Sequence, residues 1–189
     1  MVARIGVLAL QGDVREHVEL LGGLDVSVTS VKATEDLDEL DGLVLPGGES
    51  TTIGLMLDEH GMLDPLRKRI EGGLPVLGTC AGAILLAREV LGGEIPKLGV
   101  LDVTIHRNAY GRQVDSFEED VEVTGAGTLH AVFIRAPVIE GIGEGVEVLA
   151  THRDRPVVVR EANILAATFH PELSHESGLH EMLVASARG

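Results

Sequence analysis

The sequence predicts an α/β fold in three layers, with a largely parallel sheet covered by helices on both faces. Short and almost wholly apolar segments, such as 42–45 and 164–168, have the pattern of fully buried strands. They alternate along the chain with segments of helical periodicity. Buried strands that alternate with amphipathic helices are typical of parallel sheets with both faces covered. The chain has 189 residues and a hydrophobic content of 44%, so we expect one domain over residues 1–189.

The first half of the chain is predicted to alternate regularly between strands and helices. An apolar strand over 4–10 precedes a helix, because Asp13 and Glu16 form a capping-box pattern. A helix that begins at Asp64 is expected to end at the glycine pair 72–73. The other segments expected here are strands over 25–31, 42–45 and 75–78, and a helix over 81–91.

The second half of the chain begins with a different pattern. Short β-like segments dominate the region 100–161, and a last strand and a helix over 177–187 follow it. The strands expected within this region are 121–124, 131–134, 146–152 and 156–160. Since no linker or repeat separates this region from the rest, we interpret it as a β-rich insertion within the same α/β domain.

The only cysteine of the chain, Cys80, lies in the motif Gly78-Thr79-Cys80-Ala81-Gly82. The motif joins a predicted strand to a predicted helix, so it indicates a sharp turn that exposes a nucleophile at a helix N-terminus. Residues without a Cβ on either side leave room for such a turn. The alternative is that Cys80 is simply a small buried apolar residue.

A second motif, at residues 169–172, places His170 and Glu172 directly after an apolar strand. A histidine at a strand end, with a carboxylate two residues later, is what a Cys–His–acid triad requires. His170 would then move the protons and Glu172 would orient its ring. Taken alone, His170 would be interpreted as a hydrogen-bonded structural histidine, and the cysteine motif reverses that interpretation.

A glycine-rich loop over 46–50 follows the strand 42–45. Its backbone N–H groups could approach a ligand closely, with Gly48 N–H as one oxyanion donor and Ala81 N–H as the other. The alternative is an ordinary turn in which Ser50 or Thr51 caps the next helix. Because ligands of open α/β sheets collect at the carboxyl ends of strands, we expect this loop, Cys80 and His170 to meet there.

Composition narrows the possible partners. A formal net charge of −15 argues against nucleic-acid binding, and no apolar run is long enough to span a membrane. One cysteine cannot form an internal disulfide, and a reactive thiol fits a reducing compartment, so we expect a cytoplasmic protein. A zinc site built from His170, Glu172 and His175 is disfavoured, because the first two already have roles and no further cysteine is present. We expect no metal and no cofactor.

Seven motifs together resemble a known family. Three of them, in this order, are typical of class I (triad) glutamine amidotransferases: PGGES at 46–50, GTCAG at 78–82 and FHPE at 169–172. The other four are closely similar to motifs of the glutaminase subunits of pyridoxal 5'-phosphate synthases: LALQG at 8–12, VREH at 14–17, RNAYGRQVDSF at 107–117 and FIRAP at 133–137. The resemblance implies a flavodoxin-like fold.

The resemblance also implies an activity. Cys80, His170 and Glu172 would hydrolyse L-glutamine, and the ammonia would pass to a separate synthase subunit, a barrel protein, in a multimeric complex. The residues that the resemblance assigns to glutamine binding are Gly47, Gly48, Glu49, Ser50, Arg107, Ile134 and Arg135. Gln11 is a candidate for work at the interface or on the ammonia path on the same ground.

Two alternatives remain open from the sequence. The first is the glutaminase subunit of another amidotransferase, such as the imidazole-glycerol-phosphate type, which should lack the 107–117 motif. The second is a non-enzymatic α/β binding module with an oxidisable cysteine. In that case His170 would lie out of hydrogen-bonding reach of the Cys80 sulfur.

Overall fold

A computed structural model describes residues 2–107 and 116–189. The motif at 107–117 therefore lies mostly outside the described residues, which include only Arg107 and its last two positions. No helix of the described ranges is long and apolar enough to cross a membrane.

A seven-stranded sheet forms the centre of the molecule. In spatial order its strands are β10 (Glu147–His152), β11 (Arg155–Glu161), β12 (Ile164–Ala167), β4 (Val76–Thr79), β3 (Gly42–Leu45), β1 (Ala3–Leu8) and β2 (Val26–Val31). The five strands from β12 to β2 are parallel, and β10 and β11 add an antiparallel edge. The largely parallel sheet that the sequence predicts is confirmed.

Helices cover both faces of this sheet. They are α1 (Val14–Leu21), α2 (Ser50–Glu59), α3 (Leu63–Glu71), α4 (Ala81–Leu86) and α5 (Gly178–Ala187), with short 3-10 helices at Thr34–Leu37 and Pro171–Ser174. Alternate strand residues enter two separate cores, because side chains of a strand point to opposite faces. Val76 of β4 joins the core under α2, α3 and α4, whereas the adjacent Leu77 joins the core under α1 and α5. Three layers follow from this alternation.

The β-rich region divides between the central sheet and two smaller sheets. Strands β5 (Ala87–Leu91), β6 (Leu101–His106) and β9 (Val138–Ile142) form one, and β7 (Phe117–Val123) pairs with β8 (Gly127–Phe133) in the other. The prediction of an insertion is thus only partly right. β10 and β11 are not inserted beside the fold, because they extend its central sheet.

Two predicted bounds near the site are wrong. The helix expected over 81–91 ends at Leu86, and Ala87 begins β5, where its backbone is extended (φ −59°, ψ 139°). Helical periodicity alone cannot separate these halves, because a buried apolar run fits either structure. The first strand ends at Leu8 rather than at residue 10.

Candidate active site

Cys80 lies on the sharp turn between β4 and α4. Its backbone has φ 47° and ψ −102°, which is a strained conformation for a residue with a side chain. The turn is fixed by the hydrogen bond from Cys80 N–H to the carbonyl oxygen of Ala167, at 2.9 Å. A Cβ on Gly78 would lie 2.7 Å from the carbonyl carbon of Gly82, and a Cβ on Gly82 would collide with the carbonyl oxygen of Leu45. The glycines on either side therefore let the turn form.

His170 and Glu172 follow β12, the strand beside β4. Nδ1 of His170 lies 2.7 Å from Oε1 of Glu172, and both side chains are buried. Burial raises the pKa of Glu172, and the hydrogen bond from His170 opposes that rise. The parallel pairing of β12 with β4 brings this pair beside Cys80.

Asp13 is a second acidic neighbour of His170, and the sequence motifs did not predict this contact. Its Oδ2 lies 3.3 Å from His170 Nδ1. Burial on its own lowers the pKa of His170. The hydrogen bonds that its ring makes with Asp13, Cys80 and Glu172 outweigh burial and raise this pKa to about 12. The imidazole is therefore held in its charged form beside the sulfur.

The capping box predicted for Asp13 and Glu16 is wrong. Asp13 does occupy the N-cap position of α1, but its side chain accepts no capping hydrogen bond. The carboxylate is turned towards His170 instead. An Asp that caps a helix and an Asp at the same position that contacts a distant histidine have the same sequence pattern. The spacing of Asp13 and Glu16 could therefore not distinguish the two roles.

A cavity of about 390 Å³ opens above Cys80 and His170, within the range of roughly 300–1,000 Å³ of small-molecule sites. Most residues predicted to bind substrate line it, namely Gly48, Glu49, Ser50, Arg107, Ile134 and Arg135. Gly47 packs against the His170 ring so closely that a Cβ there would collide with Cε1. Ala81 is the first residue of α4, directly after Cys80. The structure thus brings all the predicted site residues together.

The two arginines differ in how they are held. Arg107 donates from Nη1 to the hydroxyl of Thr51 at 2.9 Å, which anchors its guanidinium at the cavity. Arg135 has φ 43°, so its backbone is held in the left-handed region at the cavity wall. Either guanidinium has the donor geometry that pairs with a carboxylate.

Glu49 has a structural role at the start of α2. Its carboxylate accepts hydrogen bonds from the backbone N–H groups of Thr51 and Thr52, at 3.1 and 2.7 Å. Burial by itself raises the pKa of Glu49, but these bonds and that of the Thr52 hydroxyl bring it below its usual value. The helix cap is therefore Glu49, and not Ser50 or Thr51 as the alternative interpretation expected.

Gln11 fixes the glycine loop from the β1–α1 connection. Its Oε1 accepts the N–H of Glu49 at 2.9 Å, and the N–H of Asp13 donates to the carbonyl oxygen of Gly47 at 3.0 Å. The peptide between Gly47 and Gly48 is thus tied to the same connection that carries Asp13.

Ligand atoms of Asp13, His170 and Glu172 lie within 4.8 Å of one another and could in geometry hold a metal ion. His175, a candidate ligand in the sequence, is not part of this group. Because His170 Nδ1 already meets Glu172 at hydrogen-bond distance, a metal would have to displace that bond.

Fold and site together define a class of protein, the class I glutamine amidotransferases. A solved structure described as a glutamine amidotransferase has a TM-score of 0.93 and 54% identity to this chain, and covers 98% of this chain and 99% of its own. A chain in the structure of PurLQS from Thermotoga maritima has a TM-score of 0.76 at 17% identity, and covers 100% of this chain and 98% of its own. At that identity the likeness concerns the fold alone.

Within that class, the chain belongs to the SNO glutamine amidotransferase family, which matches residues 7–187. Relatives from Thermus thermophilus and Moorella thermoacetica are named pyridoxal 5'-phosphate synthase subunit PdxT. The first is 55% identical over 97% of this chain and 97% of its own length. The second is 51% identical over 94% of this chain and 95% of its own length.

Proposed function

We propose that this chain hydrolyses L-glutamine to L-glutamate and ammonia, and that it passes the ammonia to a synthase partner that makes pyridoxal 5'-phosphate. The observation that carries the proposal is the placement of His170 between Cys80 and the buried Glu172, within a chain of a glutamine amidotransferase family. The names of the relatives support the choice of partner. We expect the partner to be a barrel subunit in a multimeric complex in the cytoplasm.

The first half-reaction begins with attack by the Cys80 thiolate on the side-chain carboxamide carbon of glutamine. A C–S bond forms, and the carbonyl oxygen takes the negative charge, which the N–H groups of Gly48 and Ala81 stabilise. Protonated His170 gives its proton to the amide nitrogen. The C–N bond then breaks, and ammonia leaves a γ-glutamyl thioester on Cys80.

The second half-reaction returns the enzyme to its starting state. His170, now neutral, takes a proton from water as that water attacks the thioester carbon. The C–S bond breaks, and the thiolate is restored beside the imidazolium. The γ-carboxylic acid that leaves gives its remaining proton to water and becomes glutamate. Glu172 accepts the hydrogen bond from Nδ1 of His170 throughout, so Nε2 of His170 faces the reacting atoms.

Substrate orientation is assigned to the polar groups of the cavity wall. Arg107 or Arg135 would pair with the α-carboxylate of glutamine through parallel N–H bonds. The loop from Gly47 to Ser50 and the backbone at Ile134 would bind the remaining polar atoms. Glu49 acts through its backbone here, because its carboxylate caps α2.

The two alternatives from the sequence are less well supported. An imidazole-glycerol-phosphate type of glutaminase is disfavoured by 55% identity to a relative named as a pyridoxal 5'-phosphate synthase subunit. A non-enzymatic module would leave His170 away from the sulfur, whereas Cys80 contributes directly to the raised pKa of His170.

Cys80→Ala tests the assignment of the nucleophile. With the purified synthase barrel subunit present, we expect glutamate release to fall to background, because the thiol that forms the intermediate is gone. An electrophilic glutamine analogue should label the wild-type chain once by mass spectrometry and the variant not at all. Matching circular dichroism would show that the fold is kept, and glutamine hydrolysis retained by Cys80→Ala would refute the mechanism.

A further inference from the structure

Two completely buried histidines, His17 on α1 and His180 on α5, lie beneath the proposed triad. Nδ1 of His17 is 2.8 Å from Nε2 of His180. Nε2 of His17 is 3.2 Å from the hydroxyl of Thr79 and 3.5 Å from Oε2 of Glu172. His17 therefore contacts Glu172 itself and the residue that directly precedes Cys80. The proposed mechanism uses neither histidine.

Burial favours the neutral form of both rings. Burial, followed by the charges of His180 and His170, lowers the pKa of His17 well below its ordinary value. Burial also lowers the pKa of His180 to about 4. Each neutral ring carries one proton on one nitrogen, and the 2.8 Å distance between Nδ1 of His17 and Nε2 of His180 requires that only one of these two nitrogens is protonated.

The carboxylate of Glu172 decides which nitrogens carry these protons. If Nδ1 of His17 held its proton, the lone pair on Nε2 would face the anionic Oε2 of Glu172, which is repulsive. With the proton on Nε2, His17 donates to Oε2 and Thr79, and its Nδ1 accepts from Nε2–H of His180. Nδ1 of His180 has no hydrogen-bond partner among residues 2–107 and 116–189, so in this arrangement it is a bare acceptor rather than a stranded N–H.

We propose that His17 is a positioning residue for the glutaminase reaction, which donates from Nε2 to the second oxygen of Glu172, and that His180 fixes the tautomer of His17. A directed series of donors then runs from His180 through His17 to Glu172, and His170 donates to the other oxygen of the same carboxylate. The inference rests on the proposed function, because it assigns these residues a part in that reaction.

Oε2 of Glu172 is where such a donor is needed. Within the described part of the chain no group satisfies it at normal hydrogen-bond geometry, although Oε1 is satisfied by His170. A buried carboxylate with one unpaired oxygen is costly to keep ionised. The contact with His17, at 3.5 Å, is long, and catalytic contacts of this kind commonly shorten when substrate is bound.

The tautomers can be measured without any enzyme assay. In the ¹⁵N-labelled chain, side-chain imidazole correlations distinguish a protonated nitrogen from a bare one. We expect the proton on Nε2 in both His17 and His180. A proton on Nδ1 of His17 would overturn the proposal, because His17 could not then donate to Glu172.

A matched pair of variants tests the role in turnover. The amide nitrogen of His17→Gln lies where Nε2 was, whereas that of His17→Asn lies where Nδ1 was, so only the first keeps a donor towards Glu172. At saturating glutamine with the synthase subunit present, we expect His17→Asn to lower kcat about 10- to 100-fold and His17→Gln only a few-fold. KM for glutamine should stay within about twofold in both variants, since His17 is not one of the described residues that line the cavity.

The outcomes separate this inference from the proposed function. A purely structural role predicts equal losses in the two variants, because each loses one contact of a buried ring, and that result would refute the inference. If the wild-type chain releases no glutamate, the proposed function fails. The ¹⁵N measurement of the tautomers would then still decide whether His17 donates a hydrogen bond to Glu172. The same measurement decides the question if a variant does not fold.

Discussion

At the scale of single residues, the site depends on how many partners His170 has. Its Nδ1 faces two carboxylates, Glu172 at 2.7 Å and Asp13 at 3.3 Å. Glu172 is completely buried and fixed by the fold, whereas about a third of the Asp13 side chain is exposed at the cavity. Two carboxylates therefore orient the His170 ring, whereas neither of them replaces the ring in proton transfer.

His170→Asn and Glu172→Gln should have unequal effects on turnover. Loss of the imidazole removes both the acid and the base, so we expect kcat to fall by roughly 10⁴-fold or more. Glu172→Gln leaves the ring in place with Asp13 still beside it, so the loss should be smaller, about 10²- to 10⁴-fold. Glutamate release with the synthase subunit present is the measurement. His60→Asn is the control, since within residues 2–107 and 116–189 the His60 side chain hydrogen-bonds only to the carbonyl oxygen of Met56.

The reverse order of effects would assign proton transfer to Glu172 rather than to His170.

The sequence predicted His170 and Glu172 because their short motif at a strand end, like that of Cys80, is visible without a structure. Asp13 and His17 could not be predicted in the same way. Their partners are more than 150 positions away in sequence, and only the packing of α1 against the end of β12 brings them together.

At the scale of elements, the short helix α4 sets the position of the nucleophile. It has only six residues, all buried, so its place depends on how closely it packs against neighbouring strands. Gly82 lies against the backbone of β3, where a Cβ would overlap the carbonyl oxygen of Leu45. The sequence predicted the turn before this helix but not its early end, because residues 87–91 fit a helix until their pairing with β6 is known.

Gly82→Ala is expected to destabilise the fold and to displace Cys80. The added methyl group meets backbone rather than a flexible side chain, so α4 must shift, at a cost of about 1–3 kcal/mol. Urea unfolding and glutamate release measure the two effects. Gly145→Ala is a matched control, since in the described part of the chain its Cβ would meet only the side-chain end of Glu161, at 3.5 Å. An unchanged midpoint and rate for Gly82→Ala would mean that the packing of α4 tolerates a larger separation.

At the scale of the whole molecule, stability is expected to depend on two histidines that are buried without charge. The pKa of His180 is lowered to about 4 in the folded state, below its usual value of about 6.5. A lowered folded pKa contributes stability that is present above about pH 6.5 and is lost as the pH falls towards about 4. Glu172 and His170 act in the opposite direction because their pKa values are raised, so the contribution of His180 must be obtained by difference.

His180→Gln keeps a donor towards His17 but cannot gain a proton. Between about pH 7.5 and about pH 5.5, we expect the wild-type free energy of unfolding to fall by roughly 1–1.5 kcal/mol more than that of the variant. This interval stays above the isoelectric point of about 4.8, where solubility is lowest. Urea unfolding at both pH values gives the comparison, and parallel losses in the two proteins would show that His180 titrates normally.

Also at the scale of the whole molecule, the isolated chain is expected to be a poor glutaminase that the synthase partner activates. Ammonia released into water near neutral pH is largely protonated and lost as a nucleophile, so turnover without a partner is wasted. The peptide between Gly47 and Gly48 offers a switch for the oxyanion donor, because Gly48 has φ 150° and glycine allows both orientations. Hydrogen bonds from the β1–α1 connection hold this peptide.

We expect the synthase to dock at the rim of the cavity, where the apolar side chains of Ile134 and Leu173 are exposed, and to change those bonds when it docks. Loss of one oxyanion donor lowers the rate about 10²- to 10³-fold, which sets the size of the expected activation. The test compares glutamate release at saturating glutamine with and without the purified synthase subunit, and Cys80→Ala with the synthase gives the background. Equal turnover in both conditions would rule out gating by the partner, and the chain would then act as a free-standing amidase.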